Sequence, residues 1–346
     1  MCLAAEPPLR RKGAGEEDTV NRLARGIVWL VVFVALAPLG AGAAEPPLIR
    51  FGHGFAAEEQ VWLMAARPDL TPNQGTKYRL KFIAFQGNPE RFQAYLANEL
   101  DGGTAPGLAV IFAGAQGVDL KVVAGICQEA AGKDWFTTTY MVRDDGPVKR
   151  VQDLKGGTAG VVGIKTATDL WARAALLNAG LVPDKDVKVV PIAFPAMGAA
   201  VRSDKVTLGT FVEPFYSSER AKGGLRPLFT AVEAVGYDHE LLDIWFGERF
   251  LKAQPDAARA FLADYVAATR YYLANPAQAK SDIHKAGFVR TPLELYQKNA
   301  DWKRDPAARV DVASLKKLAT FMHEKLGWLE KPVNVEAMVD LGYLPR

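Results

Sequence analysis

The chain has 346 residues, 49% hydrophobic and 23% charged, an ordinary globular composition long enough for one large domain or two moderate ones. Its 42 Lys and Arg and 39 Asp and Glu give a formal charge of +3, and the two signs are interspersed, so no basic block points to nucleic acid. Of the 2 cysteines, Cys2 lies ahead of an apolar N-terminal segment, so a chain processed after that segment keeps only Cys127 and has no internal disulfide.

At the N-terminus, Met1 to Thr19 is polar and includes Glu16-Glu17-Asp18. Arg22 and Arg25 then precede the apolar run Ile27 to Leu39, which is followed by the small residues Gly40 to Ala44. A basic, an apolar and a small-residue region in that order make a cleavable export signal. The apolar run of 13 residues is shorter than the roughly 20 that cross a bilayer, so cleavage after Ala43 or Ala44 is expected rather than a retained anchor. No cysteine follows to carry a lipid. The acidic stretch does not suit a signal, which places the expected translation start near Val20.

Beyond the signal, Leu48 to Gly52 is a strand candidate and Ala56 to Ala66 has helical composition. Tyr78 to Phe85 alternates as a strand, breaks at Gln86-Gly87-Asn88-Pro89, and gives way to a helix over Glu90 to Asn98 with Phe92, Tyr95 and Leu96 on one face. Leu108 to Ala115 reads as helix, while Leu120 to Ala124 and Thr137 to Val142 read as strands. A second series begins with Val151 to Gly157, then strand Thr158 to Val162, a loop over Gly163 to Ala167, and helix Thr168 to Asn178 stopped by Gly180. Val187 to Ile192 and Lys205 to Phe211 are further strands, and Ala257 to Tyr272, Pro292 to Ala300 and Val312 to Leu326 form a helical C-terminal region. Alternation of strands and helices predicts a largely parallel α/β sheet.

Taken together, strand Ile49 to Gly52, the Gln86-Gly87 turn, LANELDGGT over Leu96 to Thr104, VQDLKGG over Val151 to Gly157, LLNAGLVPDKDVKVV over Leu176 to Val190, Val212-Glu213-Pro214-Phe215, and Leu326 to Leu344 resemble the substrate-binding proteins of nitrate, sulfonate and taurine ABC importers, a family that includes thiamine-pyrimidine binders. The resemblance spans nearly all of Leu48 to Arg346. It departs at Val201-Arg202-Ser203-Asp204, near which the family has a glycine. It implies the two-lobed periplasmic-binding-protein fold (type II), an α/β clamshell with a ligand cleft between the lobes. The expected lobes are residues 45–136 plus 235–346, and 137–234. The implied function is capture of a small anionic organic solute (sulfonate, taurine or nitrate-like) for an inner-membrane ABC permease, by a monomeric periplasmic protein with no cofactor and no nucleic acid.

Ligands of open α/β sheets sit beyond the C-terminal ends of strands, which singles out the residues there. His53 is either a donor or a turn histidine, with Phe55 close behind it. Gln86 and Gly87 either bond a ligand or simply turn the chain. Thr104 is expected at a helix entrance. The loop Ile164-Lys165-Thr166-Ala167-Thr168 places hydroxyls, a lysine and backbone N–H groups at a helix N-terminus, an anion-binding environment, although Thr168 can equally cap the helix. Glu213 and Phe215 offer a carboxylate for an amine and a ring for an apolar body, or else pack between lobes. Trp135, Trp245 and Phe246 are either cleft or core residues.

The sequence contains no nucleophile elbow, His-Glu-x-x-His, phosphate loop or Cys-x-x-Cys, and His53, His239, His284 and His323 are scattered. The expected protein is therefore not an enzyme and binds no metal. The alternative of the same fold is a cleft enzyme acting on an aromatic sulfinate or pyrimidine, which would need a reactive group such as Cys127.

Overall fold

The structure, a computed structural model, describes residues 45–346. The export segment, Cys2 and the expected start near Val20 lie outside the described residues.

Two five-stranded sheets organise the chain. The first has the order β2-β1-β3-β10-β4, built from β1 (Leu48–His53), β2 (Arg79–Ala84), β3 (Gly102–Pro106), β4 (Leu120–Glu129) and β10 (His239–Gly247). The second has the order β7-β6-β8-β5-β9, built from β5 (Thr139–Arg143), β6 (Thr158–Val161), β7 (Lys188–Pro191), β8 (Leu208–Phe211) and β9 (Leu225–Thr230). Helices α1 (Glu59–Ala66), α2 (Asn88–Leu96) and α3 (Gly107–Ala115) connect the strands of the first sheet. Helices α4 (Ala167–Asn178), α5 (Phe194–Arg202), α6 (Phe215–Lys222) and α7 (Ala231–Val235) serve the second. The C-terminal region is α8 (Glu248–Ala253), α9 (Pro255–Ala274), α10 (Pro276–Lys285), α11 (Leu293–Lys298) and α12 (Val312–Glu324). Among the described residues, no helix is long and apolar enough to cross a membrane.

The α/β expectation holds, but neither sheet is purely parallel. Strand β10 runs antiparallel between β3 and β4, and β5 runs antiparallel to β8 and β9. Strand β10 escapes a pattern search because it is buried along almost its whole length, so polar residues do not alternate with apolar ones, and Asp243 interrupts it.

Strand β3 shows no alternation in the sequence because Gly102-Gly103 lacks side chains to pattern. The structure gives those glycines a packing reason: a Cβ at Gly103 would stand 2.6 Å from the carbonyl oxygen of Gly52 on neighbouring β1. Gly103→Ala should therefore destabilise the fold by about 1–3 kcal/mol, read as a lower urea midpoint. At the family departure, α5 ends at Arg202 and Asp204 takes a left-handed φ of 57°, the conformation a glycine would adopt without a Cβ penalty.

Apolar packing on the first sheet centres on Phe51, whose ring meets Phe82, Phe246 and Phe261 at centroid distances of 5.9, 6.0 and 5.1 Å. The rings stand in edge and tilted arrangements that add to area burial. Phe246 is wholly buried in this packing, and Trp245, equally buried, meets Phe92 and Tyr95 instead, at centroid distances of 5.6 and 5.4 Å.

Candidate functional site

A cavity of about 470 Å³ lies between the two sheets. One wall comes from the segment after β1 (Gly54 to Glu58), the β2–α2 turn (Gln86 to Arg91), Pro106, Leu241, Leu242 and Trp302. The other comes from Thr138, the β6–α4 segment (Val162 to Thr168), Trp171, Phe194 and Val212. The βα turns contribute because the polar groups at a strand end and a helix start are not used up by the sheet.

The floor on the first wall is a charged network. Arg91 Nη1 donates to Thr104 Oγ1 at 2.7 Å and also to the Thr104 carbonyl, and Thr104 Oγ1 donates to Glu58 Oε1 at 2.7 Å. The Gly54 amide adds a bond to the same carboxylate oxygen at 2.8 Å. Glu58 and Arg91 are buried, at 2% and 3% exposure, and burial pushes the Arg91 guanidinium down from its ordinary range. The α2 face predicted as apolar is thus partly reversed: Arg91 turns inward, while Leu96 is 64% exposed.

On the second wall, Thr166 Oγ1 donates to the Gly163 carbonyl at 2.7 Å, and Thr168 Oγ1 accepts from the Val162 amide at 3.0 Å. The two hydroxyls are 3.0 Å apart. Lys165 does not line the cavity; its ammonium lies 5.0 Å from the Phe112 ring centroid, and its amide donates to Asp169 at 2.7 Å. That carboxylate, buried in the first turn of α4, is paired with Arg173, so the helix start already carries a negative side chain.

Five of the expected residues line the cavity: Phe55, Gln86, Gly87, Thr166 and Thr168. The other four stand behind it. The Trp62 Nε1–H donates to His53 Nδ1 at 3.4 Å, and the His53 ring packs on Phe82 and Phe288. Thr104 sits in β3 rather than at a helix entrance and joins Arg91 to Glu58. Glu213 folds back on Ser217, accepting its hydroxyl at 2.6 Å, and burial pushes the carboxyl up to about 7. Phe215 stacks on Phe194 with centroids 5.9 Å apart, backing that cleft residue.

The cleft residues that sequence reasoning missed include Glu58, Arg91, Thr138, Trp171, Phe194 and Trp302. Glu58 and Arg91 carried a usable signal, since both follow the C-terminal end of a strand. Trp171 and Trp302, more than a hundred residues apart in sequence, carried none.

Cys127 is buried in β4, its thiol pushed well up by burial, and it does not line the cavity. A thiol held protonated away from the cleft is not an available nucleophile. No cluster of His, Cys, Asp and Glu suited to a metal occurs among the described residues.

A family model described as "NMT1/THI5 like" matches residues 79–279, more than half the chain. An Escherichia coli (strain K12) protein named for binding aliphatic sulfonates is 25% identical over 188 residues, which cover 54% of this chain and 56% of that protein. The match thus spans little over half the length of this curated relative. Among solved structures, the periplasmic aliphatic sulphonate binding protein SsuA from Escherichia coli superposes with a TM-score of 0.68 at 18% identity, over 85% of this chain and 92% of that one. The periplasmic nitrate-binding protein NrtA from Synechocystis PCC 6803 gives 0.66 at 14% identity, over 86% and 87%. These relatives are named as binding proteins, and the two solved ones share the architecture of two sheets described here. On the family match and this shared architecture, the chain belongs to the NMT1/THI5-like family.

Proposed function

We propose that this protein is the extracytoplasmic solute-binding component of an ABC importer, holding a small organic solute between its lobes and delivering it to an inner-membrane permease. One observation carries the reading: a cavity of about 470 Å³, of a size for a small molecule, is walled by Phe55, Trp171, Phe194 and Trp302 and floored by buried polar groups. The named functions of the relatives agree with it, as does the basic, apolar and small-residue order over Asn21 to Ala44.

In this reading lobe one is 45–136 plus 235–346 and lobe two is 137–234. The protein acts as a monomer in the periplasm after cleavage near Ala43 or Ala44. Phe55, Gln86, Gly87, Thr166 and Thr168 contact the solute. His53, Thr104, Glu213 and Phe215 hold those contacts in place, and the acidic oxygens of the solute would be received by Arg91.

A thermal-shift screen with nitrate, alkanesulfonates, taurine and pyrimidines tests this. A true ligand at a hundred times its dissociation constant contributes about 2.7 kcal/mol to stability and raises the melting temperature. Stabilisation by none of these classes would remove the solute-binding reading for them.

A further inference from the structure

Most buried polar atoms in a folded protein have partners, so those lacking them around a cavity indicate what the cavity receives. Three side chains lining this cleft, each at least nine-tenths buried, leave such an atom: Glu58 Oε2, Arg91 Nε and Trp171 Nε1. Glu58 and Arg91 belong to the first wall and Trp171 to the second.

The two charged groups are close neighbours without being a direct ion pair. Both bond the Thr104 hydroxyl at 2.7 Å, Arg91 as donor and Glu58 as acceptor. With Nη1 engaged by Thr104, the Arg91 Nε–H is left as a donor, and Glu58 keeps one acceptor oxygen. The only other ionisable side chain lining the cavity is Glu90, which is exposed. The floor therefore carries one buried positive and one buried negative charge and has no surplus cation for a bare anion. A bare anion placed there would pair with Arg91 but leave Glu58 Oε2 unsatisfied and repelled, which disfavours it.

From this we infer that Glu58 and Arg91 form a paired subsite selecting solutes that carry an N–H donor beside their acidic or acceptor oxygens, with Trp171 Nε1 donating to the solute from the opposite wall. Glu58 Oε2 accepts the solute N–H, and Arg91 Nε donates to the adjacent oxygen. The inference rests on the cleft being the solute site, as proposed above.

The test uses the purified full chain and two matched pairs of probes: taurine against ethanesulfonate, and 2-aminobenzenesulfonate against benzenesulfonate, with nitrate as a bare anion. Each pair keeps the sulfonate and adds only the amino group. Calorimetric titration should give at least one amino compound an affinity about tenfold or more above its parent. Glu58→Gln turns the free acceptor into a donor without changing shape and should erase that preference, while Glu99→Gln, on the exposed turn between α2 and β3 outside the cleft, should preserve it. Trp171→Phe, which keeps a ring and removes the N–H, should weaken the amino compound several-fold and shows that a folded cleft lacking one donor responds. Equal binding of parent and amino compounds, or a preference that survives in folded Glu58→Gln protein, overturns the subsite and leaves solute binding standing. Failure of all five probes to bind overturns the subsite and, with it, the sulfonate and nitrate reading.

Discussion

Arg304→Met is expected to lower the unfolding free energy by about 3–5 kcal/mol, the largest single-residue loss anticipated outside the apolar core. The Arg304 side chain is fully buried, and Nη2 bonds Glu59 at 2.5 Å. Its Nη1 donates to Gln60 Oε1 at 2.7 Å and to the Ala57 carbonyl at 3.3 Å, and the guanidinium lies 5.2 Å from the Tyr272 ring centroid. Removing the cation leaves Glu59 buried at 5% exposure, where burial already pushes its carboxyl up. The cost is therefore the stranded charge more than the lost attraction. Chemical denaturation checks it: the double variant with Glu59→Gln should recover a large part of the loss, and recovery of none would assign the effect to packing instead.

Stability should also fall as the pH rises from 5.5 to 8, and Glu213→Gln should remove part of that fall. Burial raises the Glu213 carboxyl from 4.5 to about 7 in the folded protein, with the Ser217 hydroxyl and amide pulling it partly back. A folded-state pKa above the unfolded one means that the native state holds the proton more tightly. Its contribution is fully present below about 4.5 and lost as pH climbs through about 7. Glu240, also pushed up to about 7 by burial, works in the same direction. His239 works in the opposite direction, because burial lowers it to about 4 and its contribution is lost as pH falls from 6.5 toward that value. From pH 6.5 to 8 the carboxyls therefore dominate. At pH 8 Glu213→Gln, an uncharged mimic of the protonated form, should be more stable than the parent by on the order of 3 kcal/mol, and the two should converge near pH 5. Parallel melting-temperature curves for the two proteins across that range would refute the assignment.

Local sequence carried the parts of the fold whose environment is one-sided. Strand β2 alternates because one face is covered, and α9 and α12 show a helical stripe for the same reason. Strand β3, with its paired glycines, and β10, covered on both faces, have no such contrast and emerge only once their neighbours are in place. The cleft divides similarly. Phe55, Gln86, Gly87, Thr166 and Thr168 are legible because they follow strand ends. Glu58 and Arg91 follow strand ends as well, but only the fold shows them turned inward around Thr104. Trp302 reaches the cavity from the C-terminal region by a path that no local pattern encodes.

Strand β10 presents Leu241 and Leu242 to the cleft, yet four residues later it supplies Trp245 and Phe246 to the centre of the first sheet. Binding surface and scaffold are joined there in one continuous backbone, so a change at Leu242 disturbs register as well as ligand contact. The segments Gly54 to Glu58, Gln86 to Arg91 and Val162 to Thr168 line the cleft without belonging to either sheet. Descendants of this sequence that acquire new nutrients would accumulate their differences in those three turns, while β10 drifts slowly and keeps its original residues longest.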